Sequence, residues 1–258
     1  MILAFDVGNS ETTIGLCRGL TVRERWRVTT DATRTPDEVF LLLLALLGSL
    51  GIKRSALKGA AIGSVVPGVT AALADACTRL TGTPPVIVDG RSKLPITLDV
   101  DEPLTVGADR IINTLAASRT YKRDCIVVDL GTATTYDCIT SDGVFLGGVI
   151  APGVLMSAES LFRKTSKLPA TEIVAPKNVI GRRTEECIRA GVVFGSAEAI
   201  DGLVRRIKAA WPRRKTPYVI ATGGLARTFE PICKEFDRVE PDLTLLGTAM
   251  AYRLLTRK

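Results

Sequence analysis

Asp129-Leu130-Gly131-Thr132-Ala133-Thr134-Thr135 follows directly on the apolar run Ile126-Val127-Val128, and the same design stands 123 positions earlier. There Ile2-Leu3-Ala4-Phe5 delivers Asp6-Val7-Gly8-Asn9-Ser10-Glu11-Thr12, so that Asp matches Asp, Gly matches Gly and Thr12 matches Thr135. In each copy a buried-type strand ends on an Asp, a Gly permits a tight turn, and a cluster of hydroxyls follows. Short apolar return strands, Ile14 to Leu16 and Cys138 to Ile139, make each copy a hairpin with a polar tip. Turn chemistry alone explains either hairpin taken singly. Two at one offset predict a duplicated fold whose paired loops face one ligand.

A chain of 258 residues is long for one core, since a domain takes about 100 to 200 residues. The echo places the cut near 116 to 124, which gives domains of 1–116 and 117–258. A hydrophobic content of 46% with 24% charged residues is that of a soluble globular protein with material for two cores. The net charge of +7 favours anionic ligands such as nucleotides. Aromatics are only 5% and no basic run interleaves with them, so nucleic acid finds no stacking platform.

Six cysteines stand singly, at 17, 77, 125, 138, 187 and 233. Without a C-x-x-C pair they argue against a zinc site and a disulfide framework and for the reducing cytoplasm. The chain has no histidine. Ser-His-Asp and Cys-His mechanisms are therefore excluded, and carboxylates must carry any acid or base work. Asp6 interrupts the apolar start, against a secretory signal. Val39 to Leu47, the most apolar stretch, falls short of the roughly 20 residues of a membrane span.

Val22 to Thr29 alternates as a strand. Thr35-Pro36-Asp37-Glu38 opens a Leu-rich helix to Ser49 or Leu50, with Thr35 as cap; apolar almost all round, it is expected to lie buried between sheet and neighbour. Strands are expected at Ala60 to Val66 and Pro84 to Val88, with a helix from about Val69 to Thr81 between them. Val106-Gly107-Ala108-Asp109-Arg110 stands at the start of the helix Ile111 to Tyr121. The macrodipole there suits an acid, and the free backbone N–H groups suit an anion. On position alone, Asp109 is equally a first-turn acid and Arg110 a solvated charge. Gly147 to Gly153 reads as a connector packed close to backbone or ligand. In the long helical region Glu185 to Ala210, the small residues Ala190-Gly191 and Gly195-Ser196-Ala197 permit close packing in a core or at a subunit interface. Thr222-Gly223-Gly224 opens the backbone at a strand-to-helix turn, for a flat ligand or for packing.

The two Asp-x-Gly hairpins and the later Thr-Gly-Gly turn resemble the phosphate and adenosine elements of the sugar kinase, heat-shock 70 and actin superfamily. The chain is more closely similar to the type III pantothenate kinases. That likeness runs in order through Asp6-Val7-Gly8-Asn9-Ser10, Trp26-Arg27, Ser64-Val65-Val66-Pro67, Gly107-Ala108-Asp109-Arg110, Asp129 to Thr135, Gly147 to Gly153, Thr222-Gly223-Gly224 and Pro241-Asp242-Leu243-Thr244. The resemblance implies an α/β fold of two duplicated ribonuclease H-like domains, each a mixed five-stranded sheet with flanking helices. It implies ATP-dependent phosphorylation of pantothenate to 4'-phosphopantothenate, the first step of coenzyme A biosynthesis.

Carried over position by position, the resemblance puts ATP on Asp6, Val7, Gly8, Asn9, Ser10, Glu11, Thr12 and Thr13 and on Thr132. Pantothenate falls on Gly107, Ala108, Asp109, Arg110 and Thr184, with Asp109 as proton acceptor. A monovalent cation, potassium or ammonium, falls on Asp129, and Asp6 would position Mg²⁺ through water. The resemblance also implies a homodimer whose substrate pocket is completed across the interface. In one departure, Leu98 in Leu94-Pro95-Ile96-Thr97-Leu98-Asp99 occupies the place of the family's pocket-lining Tyr, and the segment to Gly107 is longer.

The residue chemistry agrees with a kinase, because phosphoryl transfer asks mainly for positioning and charge neutralisation. No G-x-x-x-x-G-K-[ST] occurs, which excludes a P-loop kinase. A kinase of the same fold for another small alcohol, a polyphosphate-type phosphatase and a non-catalytic nucleotide-binding regulator remain as alternatives.

Overall fold

The structure is a computed structural model and describes residues 1–256. The chain groups into two compact units. The first comprises Met1–Thr120, Gly143–Phe145 and the chain from Asp242; the second comprises Tyr121–Asp142 and Leu146–Pro241. The division expected at 116/117 gives everything after it to one domain, whereas the chain from Asp242 groups with the first unit.

In the first unit the strands are β1 (Ile2–Val7), β2 (Glu11–Arg18), β3 (Thr21–Thr29), β4 (Ala60–Ser64) and β5 (Val86–Val88). They form one sheet in the order β3-β2-β1-β4-β5. Strands β1, β2 and β3 pair antiparallel, while β4 and β5 join in parallel. Helices α1 (Pro36–Ser49) and α2 (Pro67–Thr81) cover this sheet, with Leu3, Phe5, Ile14 and Leu16 packed against Leu43, Leu47 and Leu73.

Thr35 caps α1 with a reciprocal capping box to Glu38, as the sequence predicts. The expected all-round burial of α1 does not hold. Val39, Leu43 and Leu47 are buried, but Leu41 is 63% exposed. The i, i+4 spacing of the three buried residues presents one stripe to the core; beside it Leu44 and Leu46 are partly buried against the same core, and Leu41 faces solvent.

Also in the first unit, β6 (Thr97–Leu98) pairs in parallel with Val144 and Phe145. Helix α3 (Ala108–Tyr121) lies close enough to β4 that a Cβ at Gly63 would collide with Ile112. The second unit carries β7 (Cys125–Leu130), β8 (Ala133–Ile139) and β9 (Val144–Pro152), the last beginning on the two residues grouped with the first unit. Helices α4 (Val154–Arg163) and α5 (Thr184–Ala209) follow, then β10 (Tyr218–Thr222), α6 (Ala226–Phe229) and β11 (Arg238–Val239). The last helix among the described residues is α7 (Leu243–Leu255), in the first unit, where Leu245 methyls fill the space over Gly15.

The second unit's strands run in the order β11-β10-β7-β8-β9. Read backwards, that is the first sheet again, with β7, β8, β9, β10 and β11 standing for β1 to β5. The senses repeat as well, with β7/β8 antiparallel and β7/β10 and β10/β11 parallel. The hairpin echo thus reports a duplication of whole sheets.

Gly147 to Pro152 is not a connector but the body of β9. It lies at the edge of its own unit's sheet, where a missing side chain costs little packing, and its exposure alternates as in a strand with one face to solvent.

Candidate active site

The first loop is the four-residue tip between Val7 and its cross-strand partner Thr12, closed by a Gly8 N–H donating to the Glu11 carbonyl at 3.0 Å. Asn9, Ser10 and Glu11 are exposed, while Thr12 is buried. Arg27 of β3 reaches the Glu11 carboxylate at 3.5 Å and stands across the ladder from Thr13. One residue that the motif reading missed secures the loop from outside. Thr30, just past β3, donates its hydroxyl to the Gly8 carbonyl at 2.7 Å, lies 2.8 Å from the Thr12 hydroxyl, and donates its N–H to the Ser10 carbonyl at 3.0 Å.

The second loop is one residue shorter. Leu130 pairs with Thr134, and Gly131 N–H donates to the Ala133 carbonyl at 3.1 Å. This corrects the constant-offset alignment. Thr12, partner of the residue after Asp6, corresponds to Thr134, partner of the residue after Asp129, and both hydroxyls are buried at 5% and 3% exposure. Thr135 corresponds to Thr13, since these face Asp129 and Asp6 themselves.

Asp6 is the penultimate residue of β1, and Asp109 lies in the first turn of α3, both in the first unit. Burial, and then the nearby charge of Asp109, raise the Asp6 carboxyl from 3.8 to about 7. The two carboxylates therefore share one electrostatic environment. The Asp109 carboxylate accepts the Arg110 N–H at 2.9 Å and lies against the α-carbon of Gly107, where a Cβ would collide with it. Gly107 is thus a glycine for the sake of Asp109. The Arg110 guanidinium stands 4.9 Å from the centroid of the Phe145 ring, a cation–π contact that helps hold it in place. Leu98, opposite Phe145 in the ladder, packs with Val88, Leu94, Ile111 and Leu115, so this position serves the core of the first unit.

In the second unit, Asp129 is the penultimate residue of β7 and is backed in the same way. Gly223 has φ +90°, and a Cβ there would meet the Asp129 carboxylate and the Leu130 backbone. Across the parallel ladder from Asp129 lies Thr222, 1% exposed, whose hydroxyl oxygen has no hydrogen-bond partner among the described residues. Gly153, the residue after β9, presses on the carbonyls of Gly131 and Thr132, so that any side chain there would displace the loop.

Thr184 begins α5 and is exposed. The turn before it is fastened to the helix by the Arg182 N–H donating to the Glu186 carboxylate at 2.8 Å, and by a close approach of Gly181 to the backbone at Cys187. The structure brings Asp6, the 8–13 loop and Gly107 to Arg110 into the first unit, and Asp129, Thr132 and Thr184 into the second. Among the described residues no three His, Cys, Asp or Glu side chains gather as a metal cluster, and no helix is long and apolar enough to cross a membrane.

A family model described as type III pantothenate kinase matches residues 2–206. The chain is 43% identical over 256 residues to a type III pantothenate kinase of Rhizorhabdus wittichii, covering 98% of this chain and 97% of that one. It is 40% identical over 257 residues to a type III pantothenate kinase of Thermomicrobium roseum, covering 100% and 98%. Among solved structures, a ROK hexokinase from Thermus thermophilus is similar in fold, with a TM-score of 0.51 at 11% identity over 99% of each chain. The duplicated sheets are therefore those of the actin-like ATPase and sugar kinase architecture.

Proposed function

This chain belongs to the type III pantothenate kinase family and transfers phosphate from ATP to pantothenate in coenzyme A biosynthesis, and from that premise we propose the roles of its residues. Asp109 accepts the proton of the pantothenate hydroxyl. The observation that carries this is its carboxylate seated on Gly107 at the head of α3, within electrostatic reach of Asp6. A carboxylate is a weak base towards an alcohol, so Asp109 orients the hydroxyl and takes its proton late, as bonding to phosphorus advances. Arg110, held against the Phe145 ring, supplies positive charge to the pantothenate carboxylate or to the transferring phosphoryl group. Gly107, Ala108 and Thr184 complete the pantothenate contacts.

The 6–13 loop, with Thr132, holds the ATP phosphates through backbone N–H groups and hydroxyls. ATP brings a divalent metal, which neutralises charge on the phosphates when bound. Asp6 positions it through water, which suits Mg²⁺, an ion that keeps several waters and uses few carboxylates. Potassium or ammonium would be held at Asp129. The residues fit such a cation, because Thr222, whose buried hydroxyl oxygen has no partner among the described residues, stands across the ladder from Asp129. ADP release from Mg-ATP is expected to require pantothenate, to rise with potassium or ammonium, and to lose that cation response in Asp129→Asn. Turnover without pantothenate dependence would remove the substrate reading, and an unchanged cation response in the variant would remove Asp129 from the cation site.

The chain acts as a homodimer in the cytoplasm, where its six free cysteines stay reduced. The second unit exposes Ile150 at 66%, Leu155 at 55% and Phe162 at 48%, more apolar surface than scattered side chains need. On α5, Gly191 and Gly195 face open space one turn apart. Wild-type protein is expected to sediment at twice the chain mass, and Phe162→Glu at the chain mass. A monomeric wild type would sink the dimer.

A further inference from the structure

We propose that Thr30, outside every motif of the site, is the positioning residue of the first phosphate loop, and that it acts through a proton chain. The inference rests on the reading that this loop holds the ATP phosphates. A threonine hydroxyl has one proton and two lone pairs. The Thr30 proton goes to the Gly8 carbonyl at 2.7 Å, so in the 2.8 Å contact between the two hydroxyls Thr12 is the donor. The chain runs from the Thr12 O–H to the Thr30 oxygen, and from the Thr30 O–H to the Gly8 carbonyl; each link polarises the next. Thr30 also donates its N–H to the Ser10 carbonyl at 3.0 Å. One residue thereby holds the first residue of the tip, its middle, and the first pair beyond it.

This assigns Thr12 a different task from its neighbours. Its hydroxyl proton is committed inward, and the residue is 5% exposed, so Thr12 is a strut, and Asn9 and Ser10 present the exposed tip. The duplicated unit supports the assignment independently. There, too, the residue immediately after the third strand props the loop, but by backbone contact, Gly153 lying on the Gly131 and Thr132 carbonyls. The two repeats solve one problem at one position, with a hydroxyl in one and a missing side chain in the other.

Thr30→Val keeps the shape and removes the hydroxyl. It is expected to raise the KM for ATP and weaken Mg-ADP binding by about five- to tenfold, the scale of one buried hydrogen bond, with the KM for pantothenate unchanged. Thr30→Ser is expected to restore both values. Thr12→Val, which leaves the bond from Thr30 to Gly8 in place, is expected to give a smaller effect of the same kind, and the double variant to match Thr30→Val alone, because the Thr12 link runs only through Thr30. An unchanged ATP KM and Mg-ADP affinity in Thr30→Val, or singles that multiply in the double, would overturn the proposal. If Thr30→Val fails to fold, Thr30→Ala set against Thr30→Ser makes the same comparison. Calorimetric Mg-ADP titration separates this inference from the kinase reading: wild type without pantothenate-dependent turnover, but with weakened nucleotide binding in Thr30→Val, leaves the loop assignment standing. Wild type that binds no nucleotide overturns both.

Discussion

Asp109→Asn is expected to lower pantothenate-dependent turnover by about 10²- to 10⁴-fold, the range for loss of a general base, while Mg-ADP affinity stays at the wild-type value. The exchange is shaped to test chemistry alone. Asn has the outline of Asp, so the room made by Gly107 still accommodates it, and its carbonyl oxygen can go on accepting the Arg110 N–H. That leaves the amide NH₂ where the second carboxylate oxygen stood. A donor then faces the substrate hydroxyl, which needs an acceptor. Since the fall belongs to the transition state, kcat and kcat/KM should drop together. A loss below about tenfold would reduce Asp109 to an orienting group.

The hairpins were legible because their signal is local and repeated. A strand that ends on Asp and Gly needs no knowledge of its partners, and two copies at one offset announced the duplication of whole sheets. The helix at Thr35 was legible for the same reason, its cap and its Glu38 lying within four residues. What was hidden depends on distance in the chain. Thr30 contacts Gly8 across 22 positions, and an isolated Thr after a strand carries no mark of it. The shorter second loop was hidden too, because a constant offset cannot register a deletion inside a turn, so Thr12 was matched to Thr135 rather than Thr134. Gly107 and Gly223 stood out in the sequence as a substrate contact and as an open turn; what was hidden is the carboxylate pressed on the α-carbon of each. Gly147 to Pro152 misled because its glycines suggest a break, although an edge strand accepts them.

Asp6→Asn should expose a conflict between function and stability. In the folded protein, burial and then Asp109 raise the Asp6 carboxyl from 3.8 to about 7, so the fold disfavours the very charge that would position the metal of ATP. Below pH 3.8 the group is protonated in folded and unfolded chains alike and costs nothing. Between there and about pH 7 the unfolded chain ionises first, which favours unfolding, and above pH 7 the loss is complete. Asp6 is largely buried but keeps some solvent access, and with that screening the penalty comes to about 1–2 kcal/mol at neutral pH. Asn removes it. Without nucleotide and in a chelator, Asp6→Asn is therefore expected to melt above wild type at pH 7.5, with the difference vanishing as pH falls towards 4. In the same variant, turnover should fall by about 10²-fold or more, because a neutral amide neither orders metal-bound water nor offsets its charge. Melting curves across that pH range read the first effect and ADP release reads the second. A variant less stable than wild type at pH 7.5 would mean that the Asp6 charge is already compensated within the fold, and one that retained full turnover would free Asp6 from any part in metal positioning.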